Sequence, residues 1–293
     1  MDRVKGIIYA AVSSATFGLA PFFSISLLAF GFSSFEVLTY RWGVASLALL
    51  IFGAASGARF RCSLKDIPAV LLLALFRAAT SFSLLVAYKN ISSGAASIIH
   101  FMYPLAVALG MMLFFREKKS WTTFGAVALS LAGAAMLSMD DLELAGGNMA
   151  LGLVCAVISV FAYSSYVIGV RISRVSRMEP AALTFYVTGA GALLFMAGGW
   201  ISGGGIRLET DPDVWLYILG LALPATALSN ISLVKAINLA GATLASLLGA
   251  LEPLTAVVIG AAVFGEPFTA LSAFGIILIV AAVSLVLFRQ ERT

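Results

Sequence analysis

The second half of this 293-residue chain repeats the first at a fixed offset of 149: Ala87, Ser97, Pro104, Phe115 and Glu117 recur as Ala236, Ser246, Pro253, Phe264 and Glu266. The matched stretches are apolar and long enough for a helix to cross a bilayer. Each half holds five of them, and an odd number of crossings leaves the second copy upside down relative to the first. The expected fold is an all-α membrane protein of ten transmembrane helices, built as two inverted five-helix repeats over residues 1–143 and 144–293.

Composition fixes the solvent. With 61% hydrophobic residues, 11% charged residues and a mean hydropathy of +1.04, the chain is not a water-soluble domain. The apolar runs fall near residues 5–28, 34–56, 66–88, 93–115, 120–138, 147–170, 180–201, 213–236, 241–264 and 269–288. The segments between them are short, so recognition is expected inside the membrane-embedded body. Only Arg3 and Lys5 precede the first run, and no cleavage site stands out, so it reads as a retained helix. Cys62 and Cys155 lie far apart without a CxxC, and neither a disulfide nor a metal is expected of them.

The net charge of +4 reflects topology rather than nucleic acid. With the amino terminus inside, the cytoplasmic side collects Arg3, Lys5, Arg59, Arg61, Lys65, Arg116, Lys118, Lys119, Arg171, Arg174, Arg177, Lys235, Arg289 and Arg292, against Lys89 and Arg207 outside. The loop holding Arg116, Lys118 and Lys119 has an uncharged-by-cation counterpart at Gly265–Pro267, as inversion requires. A multi-pass protein of the cell inner membrane with both termini cytoplasmic is expected.

Polar residues inside the spans mark the candidate site. Span four aligns Ser93, Ser97, His100 and Tyr103 with Pro104, and span nine answers with Ser246, Gly249, Glu252 and Pro253. A mid-helix proline frees carbonyls, which membrane helices tolerate beside a cavity or a neighbour. Interruptions paired between two halves point to a central site, as in secondary transporters. Pro21, Pro104, Pro224 and Pro253 are the expected breaks. Arg77 lies twelve residues past Lys65, about 18 Å into the membrane, and Glu252 reaches similar depth, so an ion pair or shared water network between them is expected. Glu252 alone also suits proton coupling or a structural role. His100 reads as a titrating group or a neutral hydrogen-bonding one. Arg41 and Glu36 are expected at the outer interface, the arginine snorkelling to water, and Lys235 as an inner anchor. Phe17 and Tyr163, equivalent at an offset of 146, are placed toward the cavity. Thr80 with Ser229, Ser81 with Asn230, and Ser83 with Ser232 add hydroxyls and an amide. The candidate substrate contacts are Phe17, Arg77, Ser81, Ser97, His100, Tyr103, Tyr163, Asn230, Ser246 and Glu252. No catalytic residue, metal set or cofactor is expected. Small residues such as Gly125, Ser130 and Gly133 read as packing.

The stretch AYKNISSGAASIIHFMYPLAVAL with the following FFREKKSWTTFGAVALSLAGAAML, and LEPLTAVVIGAAVFGEP in the second half, resemble the EamA repeat of the drug/metabolite transporter superfamily over essentially the whole chain. Arg116-Glu117 stands where that family commonly has Gly-Glu, and Phe17-Gly18 where Trp-Gly is usual. Within the superfamily the chain resembles the YddG-type exporters, partly through Met102-Tyr103-Pro104. The resemblance implies ten helices, cytoplasmic termini, a central cavity and outward transport of amino acids, aromatic ones in particular.

Hydroxyls, an amide, aromatics and few net charges suit a small zwitterion with an apolar side chain. Nucleotide sugars or sugar phosphates would want two convergent cations, and by sequence depth only Arg77 qualifies. Drug-like compounds and a passive channel remain open at this point. One histidine and no nucleophile beside a base argue against an enzyme. No lysine follows a P-loop pattern, so energy comes from a substrate or ion gradient. The expected partners are amino acids and membrane lipid, not nucleic acid, in a monomer or homodimer.

Overall fold

The computed structural model describes residues 2–91, 93–116, 121–138, 147–255, 258 and 269–290, and the regular structure among them is helical. The first half comprises α1 (Asp2–Phe17), α2 (Ala20–Ala29), α3 (Ser34–Ala55), α4 (Ile67–Asn90), α5 (Ser93–His100), α6 (Tyr103–Phe115) and α7 (Trp121–Ser138). The second comprises α8 (Met149–Ile172), α9 (Pro180–Ile201), α10 (Pro212–Ala222), α11 (Ser229–Ala240), α12 (Ala242–Leu247) and a last helix, Ala270–Gln290.

Six helical stretches among the described residues are long and apolar enough to cross a membrane: Asp2–Ala29, Ser34–Ala55, Ile67–Asn90, Met149–Ile172, Pro180–Ile201 and Pro212–Ala240. Shorter apolar helices run over Tyr103–Phe115, Trp121–Gly133 and Ala273–Ala282. The charge swap expected between the loops at Lys118–Lys119 and Gly265–Pro267 lies outside the described residues, as do Glu117, Phe264, Glu266 and Arg292. The surface bears out the membrane reading. Leu47, Ile51, Phe52, Leu71, Leu75, Phe161 and Leu193 lie exposed on the long helices, while Arg41, Arg77, His100 and Glu252 are buried. A soluble protein distributes these residue types the other way round.

Helix ends follow local rules. Ser33 and Glu36 form a reciprocal capping box at the start of α3. Asn148 caps α8 through Leu151 N–H at 3.1 Å, and Asp211 caps α10. Glu36 also accepts from the Arg207 N–H at 3.1 Å, and Arg207 lies over the Phe32 ring at 3.8 Å, which ties the α2–α3 and α9–α10 turns together. The loops before α4 and α9 are joined by Arg174 with Asp66 at 3.6 Å and by the Arg59 N–H donating to Glu179 at 2.6 Å.

The most extensive pairings all join one half to the other: α3 with α9, α4 with α8, α1 with α11, and α7 with the last helix. Gly6 lets α1 close on Leu239 and Ala240 at the end of α11, and Gly152, 146 residues later, lets α8 close on Asn90 and Ile91 at the end of α4. At both places a side chain would collide with the neighbouring helix, so small-residue contact sets the spacing.

Candidate functional site

Every expected proline break falls at an interruption of the helical ladder. Pro21 sits in the first turn of α2, beyond the turn at Gly18–Leu19, and Pro104 in the first turn of α6, beyond Phe101–Met102. Pro253 follows a tight 3-10 turn at Leu248–Ala250. Pro224 lies in a wide, π-type turn at Leu223–Leu228 between α10 and α11. Proline supplies no N–H to the ladder, and here the ladder widens by one residue, a distortion that commonly re-aims a side chain. The side chain re-aimed is Thr226. Its hydroxyl donates to the Leu221 carbonyl at 2.7 Å and accepts from Arg41 Nε at 2.7 Å.

Arg77, in mid-α4, is 2% exposed. Its Nε donates to Asn230 Oδ1 at 3.0 Å, and Asn230 Nδ2 donates to the Thr226 carbonyl at 2.7 Å. The guanidinium lies 5.1 Å from the Phe17 ring centroid, 4.8 Å from Tyr163 and 5.6 Å from Tyr166. Such cation–π contacts partly replace lost water. The rings stack on one another: Phe17 on Tyr163 at 6.5 Å and Tyr163 on Tyr166 at 6.3 Å, each within 10° of parallel.

Beside this stack, Tyr103 donates to Glu252 Oε1 at 3.4 Å and meets Tyr163 edge-on at 4.6 Å. His100 packs against both tyrosines, 5.4 and 5.5 Å between centroids. Its Nδ1 lies 2.9 Å from Ser159 Oγ, whose one proton goes to the Ala156 carbonyl at 2.6 Å. Nδ1 is therefore the donor in that contact, and His100 Nε2 is left buried without a partner. Ser164 donates to the Tyr103 carbonyl at 3.2 Å. A methyl group at Gly249 would fall on the Tyr103 hydroxyl, so glycine is what admits that ring.

Phe17, Arg77, His100, Tyr103, Tyr163, Asn230 and Glu252 thus form one buried cluster where the halves meet. Ser81 lines a cavity of about 20 Å³ with Phe17, Arg41 and Arg77. Ser97, on α5, is half-buried and is not among the residues lining that cavity. Ser246 is buried but donates to the Thr243 carbonyl of its own helix at 2.9 Å.

Two expectations are corrected. Of the expected ion pair or shared water network between Arg77 and Glu252, the direct ion pair is not formed; each takes a neutral side-chain partner, Asn230 and Tyr103 respectively. Arg41 does not snorkel outward. It is 6% exposed and turns inward, its guanidinium 5.5 Å from the Phe17 centroid, because the Thr226 hydroxyl waits for it in the π turn. Thr226 and Tyr166 also join the cluster; the sequence marks Tyr166 as an aromatic beside Tyr163 without placing it toward the cavity, and does not single out Thr226. Thr226 stands 149 residues after Arg77, so the repeat itself was the signal for it.

These features define an integral membrane protein with a polar, aromatic-lined core inside an apolar shell. The EamA-like transporter family matches residues 4–139 and 150–288, and the chain belongs to that family. It is 26% identical over 249 residues to the uncharacterized transporter YdfC of Bacillus subtilis (strain 168), covering 84% of this chain and 79% of that one. It is 22% identical over 294 residues to the uncharacterized transporter YxxF of the same organism, covering 99% and 92%. One solved crystal structure shares the fold at a TM-score of 0.80 and 16% identity, over 99% of this chain and 98% of that one.

Proposed function

We propose that this transporter is a secondary carrier that moves amino acids, aromatic ones included, out of the cell by alternating access. In this reading ten helices form two inverted repeats, 1–143 and 144–293, in the inner membrane with both termini cytoplasmic. The repeats rock about the central cluster, with the breaks near Pro21, Pro104, Pro224 and Pro253 as hinges.

Pseudo-twofold contacts support the inverted arrangement. Tyr103 bonds Glu252, its own counterpart at the offset of 149, and Phe17 stacks on Tyr163, its counterpart at 146. Gly18 abuts the Glu252 carbonyl just as Ser164 binds the Tyr103 carbonyl. Positions that meet their own counterparts lie on the axis relating the halves.

The observation that carries the substrate reading is a buried guanidinium and a buried carboxyl group held in the same cluster of aromatic rings. An amino acid offers a carboxylate to the first, an ammonium to the second and an apolar side chain to the rings. Purified protein in liposomes preloaded with phenylalanine should take up labelled phenylalanine in a saturable, trans-stimulated manner. Linear, unsaturable flux would indicate a channel, and absence of uptake for every amino acid would overturn the assignment.

A further inference from the structure

Two arginines, not one, reach the hollow. Arg41 enters along α3 and Arg77 along α4, and their guanidinium groups flank the same Phe17 ring at 5.5 and 5.1 Å. Both line the cavity that Thr80, Ser81 and Tyr88 complete. Neither has a carboxylate within 4 Å among the described residues; each spends its Nε on a neutral oxygen, Thr226 for Arg41 and Asn230 for Arg77. Arg77 Nη1 is buried with no hydrogen-bond partner.

Guanidinium groups do not shed their proton. Two of them side by side inside a bilayer repel each other and leave unmet donors, an arrangement that is costly unless an anion completes it. Glu252 is the one acid in the cluster, and its Oε1 is turned to Tyr103. A carboxylate entering between the arginines meets paired, forked donors suited to a planar oxyanion.

We infer that Arg41 and Arg77 form an oxyanion subsite that receives the carboxylate of the transported molecule, with Thr226 and Asn230 as positioning residues that aim the two forks. The inference rests on reading the hollow as a carrier site, and it assigns the end of the substrate that the arginine-lined side takes. The cavity volume of about 20 Å³ is the room of one small group rather than of a whole substrate. The subsite is therefore the anchoring end of a larger space opened by movement of the halves.

Purified full-length protein in detergent, titrated with phenylalanine, 3-phenylpropionate, phenylalaninamide and phenyl phosphate, tests this by ligand-induced thermal stabilisation. Phenylalanine and 3-phenylpropionate should stabilise the protein, and phenylalaninamide should need at least about tenfold more ligand for the same shift. Arg41→Gln and Arg77→Gln should each erase that difference. Arg41→Lys and Arg77→Lys, which keep the charge without the fork, should retain part of it and guard against variants that fail to fold. Equal binding of the amide, an undiminished preference in both glutamine variants, binding of phenyl phosphate alone, or binding of none of the four would overturn the subsite. Arginine-dependent binding of 3-phenylpropionate without counterflow of any amino acid would uphold the subsite and remove the amino-acid reading. Counterflow of phenylalanine with equal binding of its amide would do the reverse.

Discussion

The two halves supply matching positions to the centre of the molecule, and almost none of those positions carries the same chemistry. Arg77 in the first half stands where Thr226 stands in the second, Ser81 where Asn230 stands, Tyr103 where Glu252 stands, and His100 where Gly249 stands. The backbone arrangement is repeated: Gly6 and Gly152 close equivalent helix pairs, and α1 packs on α11 as α8 packs on α4. Duplicated backbone provides the scaffold, and divergence of side chains on it provides a polar, asymmetric site. The first half brings the cations and the lining of the small cavity, and the second brings the acid and the amide.

The sharpest test of this division exchanges loss on one side for loss on the other. Arg77→Gln removes the cation that three rings and Asn230 surround. At about 1 kcal/mol for each cation–π contact, phenylalanine counterflow should fall about 100-fold or more. At the equivalent position, Thr226→Val leaves Arg77 in place, unties Arg41 and removes the hydroxyl's bond to the Leu221 carbonyl. The loss of that charged hydrogen bond, about 1.5 kcal/mol, should slow counterflow about tenfold. Equal effects at the two positions would show that the halves do not divide the work in this way.

Next in size is the pair His100 and Gly249. An added methyl in Gly249→Ala overlaps the Tyr103 hydroxyl and should destabilise the protein by about 1–3 kcal/mol, read as a lowered melting temperature in detergent. Adding Tyr103→Phe removes the atom in collision and should recover part of the loss. Failure of the double variant to recover any would mean that Gly249 is needed for another reason.

Much of this was open to inspection in the chain before any coordinates. The helices follow from runs of apolar residues, and their breaks from Pro21, Pro104, Pro224 and Pro253, because a missing N–H acts locally. The meeting of Phe17 with Tyr163 follows from equivalence at a fixed offset, since residues on an axis face their own counterparts. Distance along a helix gave the depth of Arg77 and Glu252 but not the direction in which either side chain turns, and the two found separate partners. Arg41 escaped for a related reason. Counting from the start of α3 puts it one to two turns in, and only the packing of α3 near the π turn shows that Thr226 draws it toward the interior. Ser246 matched Ser97 by position, yet its hydroxyl is taken by its own helix.

A smaller effect is expected on the line joining Tyr103 to Glu252. Tyr103→Phe keeps the ring against Tyr163 and His100 and removes the only hydroxyl that reaches Glu252 Oε1 among the described residues. The contact is long at 3.4 Å, so the loss should be about 1 kcal/mol, a few-fold change in the apparent affinity for phenylalanine. A change of 100-fold would mean that the hydroxyl itself touches the substrate.

The smallest effect is expected at Ser13 in α1, set against its counterpart at the offset of 146, Ser159 in α8. Ser159 Oγ is the partner of His100 Nδ1, so Ser159→Ala strips a buried imidazole whose Nε2 already has no partner; about 1–2 kcal/mol of stability should go with it. Ser13 shares its hydroxyl with Ser229 at 3.4 Å, but Ser229 also donates to the Ser13 carbonyl at 3.1 Å. That carbonyl survives in Ser13→Ala, and Ser229 keeps an acceptor. The expected cost is below about 0.5 kcal/mol, the ordinary range for a substitution that leaves no polar group stranded. Melting curves of the two variants side by side should therefore separate. If they superimpose, the second hydroxyl is as dispensable as the first, and His100 draws its hydrogen bond from somewhere other than Ser159.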